Sequence, residues 1–247
     1  MARILIAGES WTDFQVHIKG FDFFSHSSYG EGVAWLRSAL ESSGHAVHFM
    51  PSHVANAEFP SILDLLRGYD VVILSDIGSN TLILHPDTFP GCKRSPNRSV
   101  LVRDYVRGGG SLMMIGGYMS FAGFQGAARW AGTAVEEALP VTIDRFDDRE
   151  EMPGGITPRV VQADHPIVAG LPVEWPYLLG YNKVHLRPEA HLVVAVGDDP
   201  LVAAWEFGEG RAMVFTSDCS PHWGPPEFCD WPGYAPLWAN AVAWLTG

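Results

Sequence analysis

The chain has 247 residues, of which 47% are hydrophobic and 18% charged, so it can bury a large core and is expected to form one domain over residues 1–247. Its formal net charge of −12, with only 16 Lys and Arg residues, argues against a nucleic-acid partner. No run reaches the roughly 18–20 apolar residues of a membrane span, and the first residues predict a strand instead of a signal peptide. We therefore expect a cytoplasmic protein without a membrane or nucleic-acid partner.

The first 140 residues alternate between apolar runs rich in β-branched residues and segments of helical period. This pattern predicts a parallel sheet covered by helices on both faces. Strands are predicted at residues 3–8, 45–50, 69–76 and 111–116, and helices at residues 30–44, 60–68 and 99–110. The polar and aromatic segment after the first strand is expected to be a long loop. The fourth strand should be central in the sheet, because "LMMI" is apolar on both faces.

The second half of the chain has shorter apolar runs separated by Gly, Pro and Asp. Residues 126–140 contain helical stretches broken at Gly132, and the segments "TPRVVQ", "YNKVHL" and "HLVVAVG" are typical of short strands. The next run predicts a hairpin that turns at residues 208–210. The chain closes on a predicted helix that buries Leu237, Trp238 and Leu245.

Candidate functional residues follow the predicted strands, because ligands of open parallel sheets bind beyond the carboxyl ends of the strands. The catalytic candidates are Glu9, His17, Tyr118, Asp218 and His222, and the substrate-binding candidates are Ser10, Trp11, Lys19, Asp76, Gly78, Ser120 and Trp223. Carboxylates and imidazoles are the groups that exchange protons near neutral pH, whereas Lys19 and the amides around Gly78 could contact an anion. We expect "GESWTDFQVHIKG" and "SDCSPHW" to meet across one pocket.

Each candidate also has a structural interpretation. Asp and Ser residues after strands are often helix caps, and His222 could fix the loop next to Trp223. The acidic segment "FDDREE" at residues 146–151 is interpreted as a solvated loop. No H-x-x-x-H or H-E-x-x-H spacing is present, and the three cysteines, Cys92, Cys219 and Cys229, lack C-x-x-C spacing, so we expect no metal and no cofactor.

The segment "SLMMIGGYMSF" has the pattern of a buried strand that enters a sharp glycine turn, the place where many α/β enzymes carry a nucleophile. It resembles the elbow of class I glutamine amidotransferases, in which a cysteine occupies the position of Tyr118. In that family a loop after an earlier strand forms the oxyanion hole, a position that "SDIGSN" takes here. The family's carboxy-terminal His-Pro-Glu is replaced by "PHWG". The resemblance implies a flavodoxin-like three-layer α/β sandwich with a mostly parallel central sheet.

Motifs along the whole chain resemble a cytoplasmic branch of this superfamily that is related to ThuA-like proteins. They are "GESW", "HIKGFD", "SDIGSNTL", "MIGGYMSF", "DDREEMPGG", "GYNKV" and "SDCSPHW". Without the elbow cysteine we expect no glutaminase activity, because the covalent route needs a thiolate. We expect instead a site that binds or transforms a small polar metabolite, such as a carbohydrate derivative. The alternatives are a binding or scaffolding subunit and, less favoured, a cysteine hydrolase that uses Cys219 and His222.

Self-association is a further expectation. The chain has nine tryptophans, four of which lie near the carboxy terminus at Trp223, Trp231, Trp238 and Trp244. Aromatic side chains are favoured at the centres of interfaces, so these residues predict a homo-oligomer. The alternative is that they fill a tight aromatic core.

Overall fold

Eight of the strands form one central sheet in the computed structural model, which describes residues 1–247. The fourteen strands, in chain order, are β1 (Arg3–Gly8), β2 (Ser10–Lys19), β3 (Asp22–Glu31), β4 (Ala46–Pro51), β5 (Val71–Ser75), β6 (Ser111–Ile115), β7 (Val141–Thr142), β8 (Arg149–Ile156), β9 (Arg159–Val160), β10 (Leu178–Asn182), β11 (His185–Leu186), β12 (His191–Val196), β13 (Asp199–Phe207) and β14 (Gly210–Phe215). The helices are α1 (Ala34–Ser42), α2 (Ser52–Glu58), α3 (Leu63–Leu66), α4 (Ser79–Ile83), α5 (Arg98–Arg107), α6 (Ala134–Ala138), α7 (Pro226–Cys229) and α8 (Tyr234–Thr246).

The central sheet has the strand order β4-β1-β5-β6-β14-β13-β12-β9. The first five strands are parallel, and β13, β12 and β9 extend the sheet by antiparallel pairing. Taken in chain order, the parallel strands lie as 2-1-3-4-5, which is the flavodoxin-like arrangement. The predicted mostly parallel sheet is therefore confirmed.

The predicted position of the fourth strand is also confirmed. Strand β6 pairs with β5 on one side and β14 on the other, and every residue from Ser111 to Ile115 is buried. One core, on the side of α1 and α8, contains Met113 and Ile115, and a second core on the opposite side contains Met114. The alternating side chains of one strand thus serve both faces, as expected for an internal strand of a three-layer fold.

The carboxy-terminal tryptophans belong to the core. Trp223, Trp231 and Trp238 are buried, and Trp244 packs against the same core while partly buried. Their number is thus explained by packing within the chain, which is the alternative of a tight aromatic core. The homo-oligomer stays a prediction.

Several predicted elements differ from the structure. The expected loop after β1 is the antiparallel hairpin β2–β3, helix α2 was not predicted, and only residues 134–138 of the segment 126–140 form an α-helix. Residues 149–156 of the expected acidic loop and its continuation form β8, which pairs with β10. No helix in the structure is both long enough and apolar enough to cross a membrane.

Arg98, at the start of α5, is fully buried without a carboxylate partner. Its guanidinium donates to the backbone carbonyls of Leu82, Ala55, Phe59, Asn56 and Thr81. Burial lowers the pKa of this group to about 10, so it stays charged at neutral pH. These carbonyls lie in or next to α2 and α4, so one side chain satisfies carbonyl groups of both helices.

We predict that Arg98→Met destabilises the protein by at least about 3 kcal/mol, because several buried carbonyls lose their donor at once. Urea unfolding followed by circular dichroism measures the loss. Arg67→Met is the matched control, since Arg67 forms an exposed ion pair with Asp64 at 3.0 Å. Loss of this pair should lower the free energy of unfolding by less than about 1 kcal/mol. Equal losses in the two variants would contradict the role given to Arg98.

Candidate active site

Three acidic side chains meet at the carboxyl ends of parallel strands. Glu9 follows β1, Asp76 follows β5 and Asp218 lies three residues beyond β14. Ligand atoms of Glu9, Asp218 and Cys219 lie within 4.8 Å of one another, and all three residues are buried. The sequence prediction that Glu9 and Asp218 come together across some two hundred residues of chain is therefore correct.

The backbone around these acids is unusually tight. Glu9 and Asp76 have positive φ angles of 45° and 42°, a region that few non-glycine residues adopt. A Cβ on Gly8, which has φ 117°, would lie 1.8 Å from the carbonyl oxygen of Ser75. Glycine at this position thus permits the ends of β1 and β5 to approach and brings the two acids toward one space.

The environment of Glu9 and Asp76 favours their protonated forms. Burial raises the pKa of Glu9 well above its usual range, and the charges of Asp218 and Asp76 raise it further. Burial, followed by the charge of Asp218, raises the pKa of Asp76 to about 6. Like charges in a desolvated space disfavour one another's ionisation, so Glu9 and Asp76 bind protons at higher pH than exposed carboxyl groups do.

His222 adds an imidazole to the cluster. Its Nδ1 lies 3.3 Å from Oδ2 of Asp218, and this hydrogen bond is the main cause of a raised pKa for His222. The imidazole stands edge-on to the Tyr118 ring, with centroids 4.4 Å apart, and stacks on Trp223. Its side chain retains 40% exposure, so a ligand can reach it.

Tyr118 lies at the turn after β6, as the sequence predicts. The turn needs glycine before it, because a Cβ on Gly117, at φ 138°, would lie 2.7 Å from Oδ1 of Asp76. The Tyr118 hydroxyl donates to Oε1 of Glu151 at 2.9 Å, and the guanidinium of Arg149 lies 4.8 Å from the ring centroid. Burial and the bond to Glu151 raise the pKa of Tyr118. The hydroxyl is thus held protonated.

Two buried polar residues hold this turn in place, and sequence reasoning missed both. Asp148 accepts hydrogen bonds from the amides of Ala122 and Gly123, each at 2.8 Å, and from Nδ2 of Asn182 at 2.9 Å. Asn182 in turn accepts from the amide of Gly117 at 3.0 Å. The interpretation of residues 146–151 as a solvated loop is therefore wrong. The acidic segment supplies the clamp that fixes the elbow.

Glu151 links the same segment to the site. Its two carboxylate oxygens accept from Tyr118 Oη and from Nε1 of Trp223, the latter at 3.1 Å, and Arg149 lies within 3.3 Å. Residues 149 and 151 project to the same side of β8, because side chains alternate along a strand. That alternation is the sequence signal that would have identified Arg149 and Glu151.

Three predicted binding residues support the backbone instead. Ser10 Oγ accepts from the amide of Ser52 at 2.8 Å, so it caps the start of α2. Ser120 Oγ accepts from the amide of Asp76 and donates to the carbonyl of Ile115, which closes the elbow turn. Gly78 lies behind the turn, where a Cβ would meet the side chain of Met119 at 3.0 Å.

The structure does not bring Trp11, His17 or Lys19 to the cluster. All three are exposed on the hairpin β2–β3, where Trp11 lies against Gly30 and His17 stacks on Phe24 with centroids 4.6 Å apart. At about 3.3 Å per residue, the strand carries His17 roughly 25 Å from Glu9. The structure thus brings Glu9, Asp218 and His222 together as expected and places Trp11, His17 and Lys19 elsewhere.

Cys219 has the environment of a structural thiol. It is fully buried, its Sγ lies 3.8 Å from Oε2 of Glu9, and burial raises its pKa well above the usual range. The reactive form of cysteine is the thiolate, which this environment suppresses. Glu9, Asp218 and Cys219 are also the side chains whose donor atoms are close enough to share a metal ion.

Comparison with known proteins agrees with this architecture. The family model described as "Putative glutamine amidotransferase" matches residues 3–247. The chain belongs to this family. Membership confirms the resemblance drawn from the elbow and from the motifs along the chain. No curated protein matches the chain.

Solved structures show the same fold over the whole chain. Cytoplasmic protein STM3548 of Salmonella typhimurium is 42% identical, with 98% of each chain covered and a TM-score of 0.95. Cytoplasmic protein STM1381 of Salmonella typhimurium LT2 is 40% identical, with 99% of this chain and 100% of that chain covered and a TM-score of 0.96. A ThuA-like protein of Bacteroides uniformis ATCC 8492 is 12% identical, with 96% and 91% covered and a TM-score of 0.55, which indicates a shared fold alone.

We predict that Asp76→Asn stabilises the protein at pH 8 and leaves its stability nearly unchanged at pH 4. The folded-state pKa of about 6 exceeds the ordinary 3.8, so the folded chain binds this proton more tightly than the unfolded chain. Protonation of Asp76 therefore stabilises the folded protein by at most about 3 kcal/mol. This stabilisation is fully present below pH 4 and is lost as the pH rises through 6. The amide oxygen can still accept from Met119, as Oδ1 of Asp76 does.

Thermal unfolding of both proteins at several pH values measures this difference. Asp64→Asn, at an exposed residue, serves as the control and should show no such pH dependence. An Asp76→Asn effect that is the same at pH 4 and pH 8 would show that Asp76 does not hold a proton in the folded state.

Proposed function

We propose that this member of the glutamine amidotransferase family lacks glutaminase activity and that its carboxyl-edge site transforms a small polar metabolite by proton transfer. The carboxyl-edge site comprises Glu9, Asp76, Tyr118, Asp218 and His222. The observation that carries the proposal is the combination of a tyrosine at the elbow with proton-holding acids and an imidazole beside it.

The loss of glutaminase activity follows from the elbow chemistry. Attack on the glutamine amide needs a nucleophile that is ionised or activated by an adjacent base. The pKa of Tyr118 is raised above its ordinary value of 10, and its hydroxyl already donates to Glu151. The buried Cys219 is a poor substitute, because its pKa is raised and His222 is hydrogen-bonded to Asp218. These contacts also disfavour a cysteine hydrolase.

Proton transfer is the chemistry that the remaining groups support. Asp218 binds Nδ1 of His222, which leaves Nε2 of the partly exposed ring for a ligand. Asp76, with a pKa of about 6, is a second group whose protonation changes near neutral pH. An acid and a base with pKa values near the working pH are the requirements of general acid–base catalysis.

The charges of the site favour an uncharged, hydroxyl-rich ligand. The carboxyl groups of Glu9, Asp76, Asp218 and Glu151 repel phosphates and carboxylates wherever they are ionised. In both protonation states they hydrogen-bond well to hydroxyl groups. The Tyr118 ring provides an apolar surface of the kind on which a sugar ring packs. We therefore favour a neutral carbohydrate derivative over the anion considered from sequence. The cytoplasmic names of the two Salmonella relatives support a cytoplasmic location for this chain.

We predict no release of ammonia from glutamine by the purified protein. The expectation rests on the protonated Tyr118 hydroxyl and on the buried thiol of Cys219. A coupled ammonia assay tests it, with Tyr118→Phe as the matched control, since the two proteins should give the same background rate. Ammonia release above background that Tyr118→Phe abolishes would contradict the proposal.

We predict that His222→Ala weakens ligand binding or turnover at least about tenfold while the melting temperature changes little, because the ring is partly exposed. A panel of neutral sugars, polyols and sugar acids is screened by thermal shift, and products of the stabilising compounds are sought by mass spectrometry. His185→Ala is the control, because its exposed ring pairs with Asp144 outside the site.

Stabilisation by a neutral compound, lost in His222→Ala and kept in His185→Ala, would support the site. Binding without any product would favour the alternative of a non-catalytic binding subunit. A large loss of stability in His222→Ala with unchanged ligand binding would leave His222 with a structural role only.

A further inference from the structure

The hairpin β2–β3, hereafter the ribbon, stands apart from the rest of the fold. Its two ten-residue strands pair only with each other, from Ser10 and Glu31 to Lys19 and Asp22. Only its base is tied to a neighbouring helix, by the hydrogen bonds between Ser10 and Ser52. Every residue from Trp11 to Tyr29 is exposed. An isolated two-stranded hairpin is at best marginally stable in water, so a ribbon of this length requires a cover.

The ribbon has one apolar face and one polar face. Directly paired residues of an antiparallel hairpin project to the same side, so the register places Phe14, Val16, Ile18, Phe23 and Tyr29 together. Only Ser and Thr residues lie between them on this apolar face. The opposite side is mostly polar, and its residues are Asp13, Gln15, His17, Lys19, Asp22, His26 and Ser28 together with Trp11 and Phe24. Such alternation is typical of a strand with one buried face.

The apolar face is large enough to form an interface. Phe14, Ile18 and Phe23 are 70%, 76% and 73% exposed, and Val16 and Tyr29 are about half exposed. With roughly 150–250 Å² per large side chain, the face exposes about 600 Å², more than the few hundred Å² usual for an apolar patch on a monomer. Two such faces in contact would bury about 1,200 Å², the lower limit of stable specific interfaces.

Charge indicates which partner covers this face. The chain has a net charge of −12, which opposes the association of two copies over most of their surfaces. From Phe14 to Tyr29 the apolar face contains no charged residue, so two copies can meet there without repulsion between like charges. The one carboxylate on this side, Glu31 at the base of the ribbon, accepts a hydrogen bond from the Tyr29 hydroxyl at 2.7 Å. A second copy of the chain is also always available, so it can bury the apolar face as soon as the protein is made.

We infer that the apolar faces of two ribbons pack against each other about a two-fold axis and make this protein a homodimer. The contact is isologous, because the same residues of both copies form it. This interface goes beyond the proposed function, since it uses no residue of the carboxyl-edge site.

Two neighbouring substitutions test this interface. Val16→Glu places a charge on the apolar face, whereas Gln15→Glu places the same charge on the polar face of the same strand. Sedimentation equilibrium over the micromolar range measures the dimer dissociation constant. Wild type and Gln15→Glu should be dimers with similar constants, and Val16→Glu should raise the constant at least about 100-fold, because two unpaired carboxylates would be buried at the contact.

Circular dichroism and thermal unfolding verify that both variants are folded, as expected for exposed positions. If Val16→Glu reduces the yield of folded protein, Ile18→Ser is measured in its place with the same expected dissociation. A wild-type protein that is monomeric throughout the micromolar range would overturn the inference. A Val16→Glu or Ile18→Ser protein that dimerises as tightly as wild type would overturn it as well, because the dimer would then use another surface.

Discussion

The desolvated space shared by Glu9, Asp76 and Asp218 is the constraint on which the chemistry of this protein depends. Parallel pairing makes the strands that carry these residues end at one edge, and glycine at position 8 lets β1 and β5 approach closely there. Carboxyl groups in such a space compete for ionisation, so the fold itself raises the pKa values of Glu9 and Asp76. The proton-holding character of the site is thus a consequence of backbone geometry and burial.

The elbow is coupled to the same acids. Oδ1 of Asp76 accepts from the amide of Met119 at 2.6 Å, while Asp148 and Asn182 hold the turn from its other side. The backbone of a nucleophile elbow is therefore retained and fully supported although its tip is Tyr118. The backbone geometry of the elbow is thus kept although its side chain differs, because a fold can retain its geometry while the reacting groups change. The site that remains combines carboxyl groups, an imidazole and a phenol.

The parts of this molecule that follow from local pattern could be predicted from sequence. The apolar run of β6 determines a central strand, and strand direction brings Glu9 and Asp218 together. The burial of Asp148 could not be predicted, because it depends on Asn182, which is 34 residues away and reached only in the folded chain. The ribbon was missed for another reason. Its alternation of apolar and polar residues is clear, but the chain itself provides no core for the apolar face.

The ribbon and the site share one segment of chain. Glu9 lies between β1 and β2, and its carbonyl accepts from the amide of Gly32 at 3.0 Å, where the ribbon returns to the domain. A Cβ on Gly32 would lie 3.1 Å from Oε2 of Glu9 and 2.7 Å from Oγ of Ser220, so the base of the ribbon packs directly on the acid cluster. The strained backbone of Glu9 is therefore held on both sides, by the central sheet and by the ribbon. A contact that orders the ribbon would also restrict the segment that positions the most deeply buried acid of the site.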